Sequence, residues 1–238
     1  MAAKSIEDII ASDPDASSLL IKAAWSCAKT FRDTDFLGGC NGGRIRFVSD
    51  EWPEADEIKE AVALLTSLKD SDDSDLSFSD LLVLAGTTAL SKSLPSPLRF
   101  CGGRTDATVD DGGYDYLFPR ITGGADDDAD VLMDVISMSG LAASEYVAVH
   151  TASTSLDLEA LLTHDFELDG DVYKAVDADI YVTKTDIIMK THAELHSIVV
   201  DLSSNPGLLT DTLATAWPKA MSLDLFDVTV GENSPYCM

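Results

Sequence analysis

The sequence predicts a mainly α fold with at most a short β-hairpin, on three observations. Apolar residues recur at three- and four-residue steps along most of the chain. Ser77 with Asp80, and Thr191 with Glu194, have the spacing of capping boxes at the start of apolar runs. Val172, Lys174 and Val176 alternate ahead of Ile180 and Val182, as in a short hairpin, and little other strand is expected.

Each element follows from this patterning. From Ser17 to Phe31, Leu20, Ala24, Cys27 and Phe31 share one helical face, and the GGCNGG run at 38–43 breaks the helix into a tight loop. Pro53 to Lys69 places Ile58, Ala61, Val62, Leu65 and Leu68 on one stripe, with acidic residues in the first turn and Lys69 in the last, as the helix dipole favours. The Ser77 cap opens an apolar helix over Leu81–Leu90, closed by Pro95 and Pro97. The stretch 99–130, rich in Gly and Asp, reads as a long loop anchored by Tyr114, Tyr116 and Phe118. Helices are expected over 131–137, 144–152 and 156–162. After the hairpin, Thr191 caps a helix carrying Leu195, Ile198, Val199 and Leu202. The last helix covers about 208–217 and is kinked or stopped by Pro218, which has no N–H to donate. No internal repeat or linker is seen, so residues 1–238 are expected to form a single domain.

The surface chemistry is lopsided. With 42 Asp and Glu against 16 Lys and Arg, the formal charge is −26, which repels nucleic acid and anionic lipid and attracts basic partners and cations. No apolar run approaches the roughly 20 residues of a membrane span. The opening MAAKSIEDII lacks the basic and apolar regions of a signal peptide, so the chain is expected to be soluble, any targeting peptide having been removed. The four cysteines form no zinc-like pattern and are expected as free thiols; Cys40 and Cys101, both in glycine-rich loops, are the pair considered for a disulfide.

Candidate cation sites test poorly. The acidic run from Asp70 puts Asp75 and Leu81 where an EF-hand needs Gly and Glu. Asp126, Asp127, Asp128 and Asp130 read as a solvated helix start. His192 and His196 are spaced to face one ion from a helix, but HAELH sets Glu194 apart from the HExxH arrangement. His164 beside Asp165 reads as a surface residue. No metal or cofactor is expected.

The run from Leu19 to Phe47, LLIKAAWSCAKTFRDTDFLGGCNGGRIRF, resembles the first block of class I haem peroxidases, closest to the haem-free C-terminal domain of catalase-peroxidases. LSFSDLLVLAGTTAL from Leu76, GRTDAT from Gly103, GLAASEYVAV from Gly140, YVTKTDII from Tyr181 and AWPKAMSLDLFDV from Ala216 follow in that family's order. The resemblance implies a helical bundle whose two halves flank a haem cleft. It also implies what an active member needs: a distal His as proton carrier, a distal Arg, and a proximal His on iron that is hydrogen-bonded to an Asp.

Here the distal Arg and His positions hold Lys22 and Ser26 around the retained Trp25, and no Asn is found near Ala55, where the family has one to orient the His. The iron-binding position holds Ser153, while Asp186 matches the orienting carboxylate and is left without its partner. Trp25, Asn41, Arg44, Arg104 and Asp186 then read as structural survivors. The expectation is a non-catalytic pseudo-peroxidase, acting as a structural or interaction subunit on a partner protein with a basic surface. Family analogy extends this to a photosynthetic, thylakoid-associated complex in a plastid. Two alternatives stand beside it: an active haem peroxidase using His150, three residues before Ser153, as an atypical axial ligand, and a vacated cleft that binds a small ligand or cation.

Overall fold

Burial of the apolar stripes organises ten helices and one small sheet in a computed structural model that describes residues 2–50, 54–71, 75–109, 117, 125–170, 172–226 and 237. The chain is mainly α, as expected. It divides into two compact units, residues 1–118 with 138–140 and 217–238, and residues 119–137 with 141–216.

In the first unit, α1 (Ala2–Ser12), α2 (Pro14–Ala28) and α3 (Ala55–Ser71) surround α4 (Phe78–Ser91). Asp13 caps α2 by accepting from the Asp15 N–H, and Pro14 starts the helix where no N–H is needed. Leu20, Ala24, Cys27 and Phe31 are all buried, as are Ile58, Ala61, Leu65 and Leu68 on α3. Helix α4 is buried over nearly its whole length, and burying each large apolar side chain there contributes roughly 1.5–3 kcal/mol. Gly86 allows its close approach to α2, since a Cβ there would stand 2.4 Å from the Ala24 Cβ. Trp217 is completely buried beside it and donates its indole N–H to the Thr87 hydroxyl at 3.0 Å.

The start of α4 is held more elaborately than a capping box. The Ser77 hydroxyl accepts from the Asp80 N–H, but the Asp80 carboxylate does not return to Ser77. It accepts instead from the Gly103 N–H at 2.8 Å and from Arg104. Asp106 takes over the capping, accepting from the Phe78 and Ser79 N–H groups and the Ser79 hydroxyl. Burial alone would raise the Asp106 pKa, and these three donors with nearby Arg46 hold it below the usual carboxylate value.

Arg104 is the hub of this unit. Its guanidinium pairs with Asp80 at 3.0 Å and Asp224 at 3.2 Å, and donates to the carbonyls of Cys101 and Met221. Asp224 also accepts from the Asn41 N–H, while the Asn41 side chain accepts from the Thr105 N–H. The glycine loop at 38–43, in which Gly38, Gly39, Gly42 and Gly43 all have positive φ, is thereby tied to the 100–107 segment and to the segment after Trp217. Arg44 donates to the Asn41 carbonyl from a 3-10 turn, Arg44–Phe47.

The cysteines differ from expectation. Cys27 pairs with Cys40 and Cys101 with Cys237, so Cys40 and Cys101 are not partners and none of the four is free. The Cys40–Cys101 pairing fails because helix α2 carries Cys27 to 5.0 Å from Cys40, Cα to Cα, a neighbour that loop composition does not reveal.

The second unit contains most of α5 (Ala125–Met138), then α6 (Ala143–Thr154), α7 (Leu158–Thr163), α8 (Lys184–Thr191), α9 (Ala193–Ser204) and α10 (Pro206–Ala220) as far as Ala216. Helix α9 packs on α6, α7 and α8 through Leu195, Val199 and Leu202. The expected hairpin gains a third strand: β1 (Phe166–Asp169), β2 (Val172–Ala175) and β3 (Tyr181–Val182) form an antiparallel sheet in that order.

Three local expectations change. Thr191 ends α8 rather than capping α9, because α8 runs up to it and its hydroxyl turns back to the Ile187 carbonyl of that helix, which leaves His192 at the N-cap of α9. Helix α10 runs through Pro218 to Ala220, since a proline this close to the end removes only one backbone bond. Asp128 is buried and ion-paired with Lys184 rather than solvated at the start of α5. The aromatics Tyr114, Tyr116 and Phe118 lie outside the described residues.

Replacing Arg104 by Met leaves two buried carboxylates facing each other. A loss of about 3–5 kcal/mol is expected in urea unfolding, against less than about 1 kcal/mol for Lys22→Met at the surface.

Candidate functional site

The residues expected to mark a site fall into two groups, one in each unit. In the first unit the last turns of α2 present Lys22, Trp25, Ser26 and Lys29 at the three- and four-residue spacing that shares a helix face. Lys22 pairs with both carboxylate oxygens of Glu57 on α3 at 2.8 Å, which leaves its charge neutralised. Trp25 is buried.

Ser26 is completely buried and donates its hydroxyl to Glu54 Oε2 at 2.8 Å, and the Lys29 ammonium reaches the same oxygen at 3.3 Å. Burial would raise the Glu54 pKa. The Lys29 charge, the hydrogen bonds from Ser26 and Lys29 and the more distant Lys22 charge outweigh it and bring the value down to about 2. Glu54 is thus a carboxylate at every physiological pH and a poor proton carrier near neutrality. It stands beside Ala55, where the sequence comparison found no Asn; a carboxylate meets a hydroxyl where the resembled family pairs an amide with an imidazole. Glu54 and Lys29 were missed from sequence, and the only signal for Glu54 was its place among the acidic residues heading α3.

In the second unit, His150 and Ser153 lie on α6 and Asp186 in the first turn of α8. His150 Nε2 stands 2.8 Å from Asp186 Oδ1, and the other oxygen, Oδ2, accepts from the Thr183 N–H and hydroxyl at 2.7 Å each. Asp186 is not left without a partner, as the sequence comparison had it. The pairing arises because α6 and the 183–186 cap bring a histidine from the preceding turn to the carboxylate, a contact invisible to a residue-by-residue match. Burial pushes the Asp186 carboxyl up, but the His150 bond and charge and both Thr183 donors hold it below its ordinary value. An ionised Asp186 requires a proton on His150 Nε2. Tyr146, one turn earlier, lies parallel to the imidazole with ring centroids 6.4 Å apart.

Ser153 is buried, and its hydroxyl donates back to the His150 carbonyl at 2.8 Å, a bond within its own helix. The remaining histidines are dispersed: His192 stands at the N-cap of α9, His196 Nδ1 contacts the Lys190 carbonyl, and His164 Nδ1 contacts Asp177 at 2.6 Å. Among the described residues no three His, Cys, Asp or Glu side chains are grouped to hold a metal ion, and no single helix is long and apolar enough to cross a membrane.

The family model described as peroxidase matches residues 2–160. Among curated proteins, catalase-peroxidase 1 of Haloarcula marismortui is 29% identical over 93% of this chain and 38% of its own length. The catalase-peroxidase of Leptospira biflexa is 26% identical over 88% of this chain and 36% of its own, and catalase-peroxidase 1 of Mycolicibacterium smegmatis is 27% identical over 94% and 37%. The chain spans little more than a third of the length of these relatives.

The depressed acids set a pH dependence. Carboxyls whose folded pKa lies below the unfolded value stabilise the fold above the unfolded pKa, and that stability is lost as pH falls through the folded value. Glu54, displaced from 4.5 to about 2, contributes up to about 3 kcal/mol at neutral pH that disappears between about pH 5 and 2. Glu54→Gln is expected to lower stability at pH 7 and flatten the acid limb, read from urea midpoints across that range.

Proposed function

The chain belongs to the plant-type class I peroxidase superfamily, related to catalase-peroxidases, and we infer that within it the protein is a non-catalytic pseudo-peroxidase that serves as a structural or interaction subunit. The observation that carries this reading is the Ser26–Glu54–Lys29 cluster. Heterolysis of a peroxide needs a group that takes a proton near neutral pH and gives it back, and a donor for the charge that develops. Ser26 has no such pKa, Glu54 is an anion held by two donors, and Lys22 is already paired with Glu57.

The residues present do not fit haem either. Ser153, at the position of the family's iron ligand, offers a hydroxyl that is bonded into its own helix. His150 has its Nε2 committed to Asp186. An acidic chain that keeps the family's core while losing its reactive groups is suited to holding or docking, and a formal charge of −26 favours a partner with a basic surface. The thylakoid setting follows from family analogy.

A second reading draws on one observation. His150 keeps a hydrogen bond to Asp186, as the family's axial histidine does, and with Nε2 so engaged an improvised axial ligand would meet iron through Nδ1. Offering haem to the purified chain separates the two. No Soret band that depends on His150, and no peroxide-dependent oxidation of a chromogenic donor, are expected; a Soret band abolished by His150→Ala would establish the second reading instead.

A further inference from the structure

The three-stranded sheet of the second unit has an outer face that its own fold leaves uncovered. Cross-strand partners share a face, and the registers Phe166↔Ala175 and Tyr173↔Val182 put buried Ala175 and Val182 on the inner side. The outer side therefore carries two rows, Glu167–Lys174–Tyr181 and Asp169–Val172. Tyr181 is 51% exposed and Val172 38%, and beyond the strand end Val176 is 62% exposed, so the outer side presents three apolar side chains among its charges.

Charge on this module is one-sided. Asp165, Glu167, Asp169, Asp177 and Asp179 are all exposed. The one cation on the outer face, Lys174, is engaged internally: its ammonium pairs with Asp179 at 3.1 Å and lies 4.9 Å from the centre of the Tyr181 ring. His164 is likewise drawn to Asp177. Such a face repels a second copy of itself and offers apolar contacts ringed by carboxylates.

We propose that the outer face of the β1–β3 sheet, centred on Val172, Tyr181 and Val176, is the docking surface of this chain for a protein segment in which lysine or arginine alternates with apolar side chains. The carboxylates steer and orient the partner, while Tyr181 and the valines provide the contact that charge alone lacks. The inference names the partner chemistry for the subunit role above and rests on that role.

The test uses the full chain and two synthetic peptides of equal charge, one alternating lysine with leucine and one alternating lysine with serine, with binding read by fluorescence anisotropy. The leucine peptide is expected to bind about tenfold tighter, a preference worth about 1.4 kcal/mol. Val172→Ser with Tyr181→Ser, both at exposed positions, abolishes that preference. Glu167→Gln with Asp169→Asn weakens both peptides and lowers the salt dependence, whereas Asp56→Asn with Glu60→Gln on exposed positions of α3 does not. Equal binding of the two peptides, equal weakening by the α3 variant, or self-association through this face in light scattering would overturn the inference. A His150-dependent Soret band with peptide preference intact would remove the subunit role and leave the docking surface standing.

Discussion

A single buried guanidinium organises the first unit. Arg104 is itself inaccessible to water, and removing a charge from water costs several kcal/mol unless it is met by opposite charge and filled hydrogen bonds. Asp80 and Asp224 supply the charge and the Cys101 and Met221 carbonyls fill further donors. Because those partners come from the start of α4, the 100–107 segment and the segment after Trp217, satisfying one side chain fixes three stretches of chain far apart in sequence. The Asn41 backbone N–H joins the glycine loop to the same carboxylate. The network includes none of Lys22, Ser26, His150, Ser153 and Asp186, so it does not depend on the identity of the candidate site residues.

The two pairs at the candidate site are built alike. Ser26 with Glu54, and His150 with Asp186, each set a buried side chain against a carboxylate. In both, the carboxylate is held below its normal pKa by its donors, so each contributes stability at neutral pH rather than a proton near it.

Much of the fold was legible because helices advertise themselves locally. Leu20, Ala24 and Cys27, and the Ile58 to Leu68 stripe, needed only a 3.6-residue period to be placed correctly. What escaped depended on distant partners. Strand β1, Phe-Glu-Leu-Asp, alternates apolar and polar over only four residues, and its burial does not follow the alternation, with a half-buried Phe166 among exposed residues. Thr191 had capping chemistry, but the preceding helix extends to it and places His192 at the next N-cap. Asp80 looked like a capping partner and is instead bound to Arg104. At the site, the identity of Lys22, Ser26, Ser153 and His150 could be read directly, but Glu54 and the pairing of His150 with Asp186 could not, because a pairing across elements leaves no mark in spacing. The disulfides escaped for the same reason.

The central claim is that this member of the peroxidase superfamily has kept a fold and given up the chemistry. The most direct measurement is native mass spectrometry of the chain purified from its own cells, under conditions that preserve haem in an active catalase-peroxidase prepared alongside. The expected result is the bare chain mass, alone or joined to a protein partner, with no haem adduct. A stoichiometric haem adduct, together with peroxide consumption by the same preparation, would contradict it.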